Sequence, residues 1–223
     1  MTREELLAQL YDYTLVGNGP AVLELTHTGL GMGLGPEMLL YESLIPALEE
    51  VGARFERGDF FVPEMLIAGK AMAGALEVLR PLLAETGAQA IGTVLIGTVK
   101  GDVHDIGKNL VNIMFEGAGF HVIDLGVQVA PERFADAIRE HKPDIVGFSA
   151  FLTTTMPMFK ANMNVLAKQG LRDQVIVMVG GAPVTQEYAD AVGADGYAAD
   201  ASAAVVRAKE LLAARRATVT APA

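Results

Sequence analysis

The residues best placed to do chemistry lie together at Gly101-Asp102-Val103-His104-Asp105-Ile106-Gly107. A neutral imidazole is a good ligand for a transition metal. A ligating histidine usually gives its other ring N–H to a nearby acceptor, and Asp102 stands two residues before His104. Gly101 and Gly107 let the backbone turn tightly and let a bulky group approach. The same residues allow other readings. A lone loop histidine is commonly structural or solvated, and the start of a following helix can hold a phosphate, although Asp102 and Asp105 would repel an anion. A catalytic zinc wants several protein ligands, and the remaining histidines, His27, His121 and His141, are scattered. With one histidine available, the metal reading needs an ion whose other ligands arrive with it, in a cofactor ring.

The apolar spacing indicates what must hold that loop. From Ile91 onward, short β-branched runs alternate with amphipathic stretches. Ile91 to Gly97, Phe120 to Leu125, Asp144 to Ser149, Val175 to Val179 and Asp195 to Tyr197 read as five strands; 107–117, 131–141, 156–169, 184–192 and 200–215 read as helices. Such alternation means βαβ units, a parallel sheet with helices on both faces and right-handed crossovers. Ligands bind such sheets beyond the carboxyl ends of the strands, so function is expected just after Gly97, Ser149 and Val179. No Gly-x-Gly-x-x-Gly follows the first strand, which argues against a plain dinucleotide-binding domain.

Residues 1–87 read as helices only. Leu44, Leu48, Val51 and Phe55 mark one helical face, and Met65, Met72, Leu76, Leu79 and Leu83 the next. Pro36 and Pro63 suit first turns, where a missing N–H does no harm, and Gly58-Asp59 breaks the chain between the two helices. Helices near 3–14 and 20–29 complete a four-helix bundle, with glycines 29, 31, 33 and 35 in a loop between the pairs. The expected organisation is therefore an α/β chain: a helical bundle over 1–87, a Rossmann-like (flavodoxin-like) five-stranded domain over 88–216 and a frayed tail over 217–223.

The chain has 223 residues, 51% hydrophobic and 20% charged, with a formal net charge of -10. An acidic surface disfavours nucleic acid as a partner. The absence of cysteine excludes disulfides, thiolate zinc sites and cysteine-held iron–sulfur clusters. No apolar stretch suits a membrane span, and the charged start Met1-Thr2-Arg3-Glu4-Glu5 lacks a secretion core. A cytoplasmic protein without a membrane partner is expected.

Asp102-Val103-His104-Asp105-Ile106-Gly107 resembles the Asp-x-His-x-x-Gly signature of cobalamin-binding domains that take the cofactor base-off and histidine-on. Ser149-Ala150-Phe151 resembles their Ser-x-Leu, and Gly180-Gly181-Ala182-Pro183 their Gly-Gly element; Gly119 to Gly126 looks like their second strand. Val51 to Glu64 resembles the helical cap of methyl-carrying corrinoid domains. The match spans nearly the whole chain, and it is to the small corrinoid proteins of methyltransferase systems and the cobalamin module of cobalamin-dependent methionine synthase. The resemblance implies that His104 is the lower cobalt ligand, that Asp102 hydrogen-bonds it and that Thr155 hydrogen-bonds Asp102. It implies that Gly101, Val103, Asp105, Ile106 and Gly107 line the cofactor, that Ser149 and Thr153 contact it and that Gly180 and Gly181 leave room for the base of its displaced nucleotide tail. Phe55, Val62 and Met65 match cap positions over the upper face. Phe151 stands where the family has a small aliphatic residue, and a narrowed tail cavity is expected there.

The resemblance further implies a methyl carrier that turns nothing over alone. Cobalamin as Co(I) would accept a methyl group from a substrate-specific methyltransferase and, as methyl-Co(III), donate it to a second methyltransferase serving a tetrahydrofolate or thiol acceptor. A reductive activase would rescue oxidised cobalt. The family's donors include methylamines, methanol, betaines and methoxylated aromatics. A hinge near Glu85-Thr86-Gly87-Ala88 would let the cap swing aside. Two alternatives share the signature. The cobalamin subunit of an adenosylcobalamin mutase lacks the helical cap, and a cobalamin sensor carries an added DNA-binding module, for which an acidic chain of 223 residues is expected to leave no room.

Overall fold

The computed structural model describes residues 1–86 and 90–220. Residues pack into two compact units, Met1–Ile91 with Ile113–Gly119, and Gly92–Asn112 with Phe120 onward. The expected boundary at 87/88, and half of the expected hinge, lie outside the described residues.

The first unit is helical. α1 (Arg3–Leu15) starts with a reciprocal cap: the Glu5 N–H donates to the Thr2 hydroxyl and the Thr2 N–H to the Glu5 carboxylate. α2 (Gly19–Gly31) is capped by Asn18. The next expected helix is in fact composite. α3 (Pro36–Leu39) widens into a π-helical turn, Leu40–Leu44, before α4 (Ile45–Glu56). Pro46 lies in the first turn of α4 and has no N–H to give. The wider turn, closed by the Ile45 N–H on the Leu40 carbonyl, carries the chain to it. α5 (Val62–Thr86) is the long fourth member, and Met65, Met72, Leu76 and Leu79 are its buried stripe.

The second unit is a five-stranded parallel sheet in the order β2-β1-β3-β4-β5. The strands are β1 (Thr93–Thr98), β2 (His121–Asp124), β3 (Ile145–Ser149), β4 (Ile176–Gly180) and β5 (Gly196–Tyr197). α6 (Ile106–Gly117), α7 (Pro131–His141), α8 (Pro157–Lys168) and α9 (Gln186–Val192) link them, and α10 (Ala201–Thr220) follows β5. The frayed tail expected from Ala217 is therefore helical as far as Thr220. The run of small residues lacks a visible period but contains no helix breaker before Ala221.

Strand β1 leads leftward to β2, whereas every later crossover runs rightward. With right-handed connections this puts α7, α8 and α9 on one face and α6 on the other. Phe134 of α7, Phe148 of β3 and Phe159 of α8 pack in the first of these layers, with Phe134 edge-on to Phe148 at 4.8 Å. The reversal falls between β1 and β3. Their carboxyl ends flank the switch point where open α/β sheets bind ligands. There Thr98 aligns with Ser149, and Ser149 with Gly180, in one row across three strands. Leu95, Phe148 and Val179 face the aromatic layer, so by alternation Thr98, Ser149 and Gly180 face the opposite side. Among the described residues no helix is long and apolar enough to cross a membrane.

Candidate functional site

The loop after β1 is shaped by its own sequence. Gly101 takes φ +85°, a conformation L side chains rarely adopt. The Asp102 side chain then folds back on the chain, and its Oδ1 accepts the His104 N–H at 3.0 Å, an Asx-type turn. The same Oδ1 lies 2.8 Å from His104 Nδ1. A carboxylate only accepts, so Nδ1 carries the proton and Nε2 keeps its lone pair. Asp102 is fully buried while the His104 side chain is 43% exposed.

Asp102 Oδ2 is held from β3's far end. It accepts the Thr155 hydroxyl at 2.6 Å and the Phe151 and Leu152 N–H groups at 2.8 and 3.2 Å. Burial by itself pushes the Asp102 carboxyl up. The bonds from Thr155, the His104 backbone and ring, and the Phe151 backbone outweigh it and hold the group well below the usual carboxylate range. The buried acid is thus a fixed negative charge with a full set of donors, and it presents an exposed imidazole at the switch point.

The expected site residues fall into two sets. His104, Asp102, Thr155, Phe151 and the 101–107 loop lie together. Val103 and Ile106 are apolar yet 58% and 69% exposed beside His104, and nothing lies within 4 Å of a Cβ built on Gly107. Asp105 is half-buried and its carbonyl accepts the Asn109 N–H as α6 begins. Thr153 is exposed, and Ser149 and Gly180 are half-buried at their strand ends. Phe55, Val62 and Met65 belong to the helical unit: Val62 is exposed, Phe55 is half-buried and Met65 has no exposed surface. Met65 fills the bundle core, so it offers a ligand nothing in this arrangement. The ring of Phe151 stacks on His104, with centroids 4.4 Å apart and planes 27° apart. The tail cavity was expected to feel that ring; instead it sits on the imidazole, half in solvent.

Sequence reasoning missed the supports beneath the loop. The buried Thr98 hydroxyl donates to the His104 carbonyl at 3.0 Å. The Gln128 N–H donates to the Asp102 carbonyl at 3.0 Å, from a residue at φ +55°, a strained conformation of the kind that gathers at functional sites. Lys108, buried in α6, ion-pairs with Asp124 at the end of β2, and Asp124 also accepts the Gly126 N–H at 2.8 Å. The type of Thr98 at a strand end was the only available signal. Thr98→Val keeps the shape and removes the donor, and is expected to lower stability by about 1 kcal/mol in urea unfolding; an unchanged midpoint would show that bond to be idle.

Residues 92–206 match the family described as B12 binding domain, and residues 6–80 match a second B12 binding domain family. The chain is 42% identical over 214 residues to dimethylamine corrinoid protein 1 of Methanosarcina acetivorans, covering 96% of this chain and all of that one. It is 40% identical to trimethylamine corrinoid protein 2 of Methanosarcina mazei, over 94% of this chain and 97% of the relative. Among solved structures it resembles the methanol:cobalamin methyltransferase complex MtaBC of Methanosarcina barkeri, with a TM-score of 0.83 and 28% identity over 95% of this chain and 81% of that one. Two families matched in order along the helical and sheet units, with full-length relatives on both sides of the Asp102–His104 loop, leave one assignment: this chain belongs to the B12-binding family, among the corrinoid proteins of methyltransferase systems.

Proposed function

We propose that the chain is a methyl carrier whose corrinoid cobalt is ligated from below by His104 Nε2, with the cofactor's own base displaced. The observation that carries this reading is the Thr155–Asp102–His104 chain, which fixes the ring by Nδ1 and leaves Nε2 with its lone pair at the mouth of the sheet.

The residues present fit such a cofactor. No group of three or more potential metal-ligating side chains occurs among the described residues, so a single imidazole suits a metal already held in a ring. Exposed Val103, Ile106, Phe151 and Leu152 surround that imidazole. An apolar rim of this kind matches the flat face of a macrocycle better than it matches water. Thr98, Ser149 and Gly180 form a row of narrow side chains, room for a displaced tail.

When bound, the corrinoid supplies a cobalt that takes up and gives away methyl groups. The protein's share is electrostatic and geometric. Asp102 fixes the tautomer and makes His104 a stronger donor. Thr155 fixes Asp102, and the buried charge cannot reorient at the moment of transfer. Val62 and Phe55 would belong to the cap that shields the reactive face. Partner proteins supply the donor and acceptor chemistry: a substrate-specific methyltransferase, a second methyltransferase with a tetrahydrofolate or thiol acceptor, and a reductive activase. The named relatives support methylated amines as the donor class. The helical cap favours this carrier over a mutase subunit.

The test is reconstitution with cob(II)alamin of protein labelled with 15N-histidine. Histidine ligation is expected to split the EPR signal into a doublet. A triplet, from the cofactor's own 14N base, would overturn the ligand assignment. Adding dimethylamine or trimethylamine with its methyltransferase is then expected to change the absorbance of the reduced, bound corrinoid. No change with either amine would remove the proposed donor class.

A further inference from the structure

Phe151 touches both members of the Asp102–His104 pair. Its main-chain N–H donates to Asp102 Oδ2 at 2.8 Å, and its ring lies against the His104 ring at 4.4 Å and 27°. The residue is 51% exposed, so core packing does not dictate where its ring rests.

The imidazole needs such a support. Its side chain is 43% exposed, and its hydrogen bond at Nδ1 fixes a point and not a plane. About that point the ring could swing, carrying Nε2 away from any fixed position above the sheet. A face-to-face neighbour removes that freedom. Val103 and Ile106, the other apolar residues of the loop, have no ring to stack.

We propose that Phe151 is a positioning residue: its stacked ring sets the plane of the His104 imidazole before the corrinoid arrives, so that Nε2 meets the metal preorganised. The inference rests on His104 being the cobalt ligand. A ligand group held in its bound orientation loses less freedom on binding. An aliphatic side chain at 151 would keep the main-chain bond to Asp102 and lose the stack. Replacing one ring of such a pair should weaken histidine-on binding about two- to tenfold.

The probe is cob(II)inamide, which has no nucleotide base, so nitrogen coordination can come only from the protein. Wild type, Phe151→Leu and Phe151→Tyr are titrated, the nitrogen-split EPR signal giving the Kd of the ligated form, and thermal unfolding is followed in parallel. Phe151→Leu is expected to raise that Kd about two- to tenfold with an unchanged Tm, and Phe151→Tyr to restore it. A Leu variant equal to wild type, or Leu and Tyr variants equally weakened, would overturn the stacking role. Failure of wild type to show any nitrogen splitting would instead overturn the ligand assignment, and this inference with it.

Discussion

Asp102→Ala is expected to destabilise the corrinoid-free protein by about 3–5 kcal/mol and to abolish histidine ligation of the cobalt. Among the described residues the carboxylate is the only partner of three N–H groups, those of His104, Phe151 and Leu152. Thr155 can turn to the Leu152 carbonyl at 2.9 Å, and the half-exposed imidazole can find water. The three amides have no such substitute among the described residues, and each donor left unmet and shut from water costs about 1–3 kcal/mol. Water entering the space left by the carboxylate recovers part of this, which sets the range. Without Asp102 the tautomer and orientation of His104 are also released. Asp102→Asn keeps one accepting oxygen but turns an NH2 toward donors, so it is expected to lie between wild type and alanine. Urea unfolding measures the first effect, and the 15N-histidine doublet of bound cob(II)alamin measures the second. A loss below about 1 kcal/mol would mean that the three amides are satisfied elsewhere and that Asp102 does not organise the loop.

What was legible in the chain follows from how local its cause is. Strands β3 and β4 were placed within a residue because β-branched runs there are bounded by charged and glycine residues. The starts of α1 at Arg3 and of α7 at Pro131 were equally plain. The π-helical turn at Leu40–Leu44 was not legible, since the apolar spacing of Leu44, Leu48 and Val51 is the same whether the preceding turn is α or π. The Asp102–His104 bond could be read from spacing because both residues lie in one turn. The bond from Thr155 spans 53 positions, and only resemblance to a known motif suggested it. Thr98 and Gln128 belong to no motif that was quoted. Their bonds depend on the register of β1 with β2 and β3 and on the loop after β2, which no local pattern encodes. Phe151 stood out as a departure from the family pattern, but no local pattern sets its rotamer. A side chain at a strand end can enter the groove or lie over the loop, and here the imidazole supplied an aromatic face.

The two adjacent glycines at the end of β4 are expected to answer differently to the same added methyl group. Gly181 has φ +134°, and a Cβ there would lie 1.8 Å from the Ala150 carbonyl oxygen and 2.8 Å from its carbon. Both obstacles are backbone, so the strand ends must part. Ala150, whose N–H bonds the Gly180 carbonyl at 3.1 Å, would move and draw Phe151 off Asp102. Gly181→Ala is therefore expected to cost about 3–5 kcal/mol and to weaken corrinoid binding as a consequence. Gly180 has no such obstacle: its Cβ would come no nearer than 3.9 Å, to the Ala198 carbonyl. Gly180→Ala should leave stability within about 1 kcal/mol of wild type. If the row Thr98–Ser149–Gly180 is the floor of the tail groove, filling it has a cost only for a cofactor with a tail. Gly180→Leu is then expected to weaken cobalamin binding at least about tenfold while leaving cobinamide binding unchanged. Equal loss of both would mean a damaged sheet end, and equal retention would place the tail elsewhere. Gly181 would serve the fold in either case, and only Gly180 separates a cofactor groove from an ordinary strand-end turn.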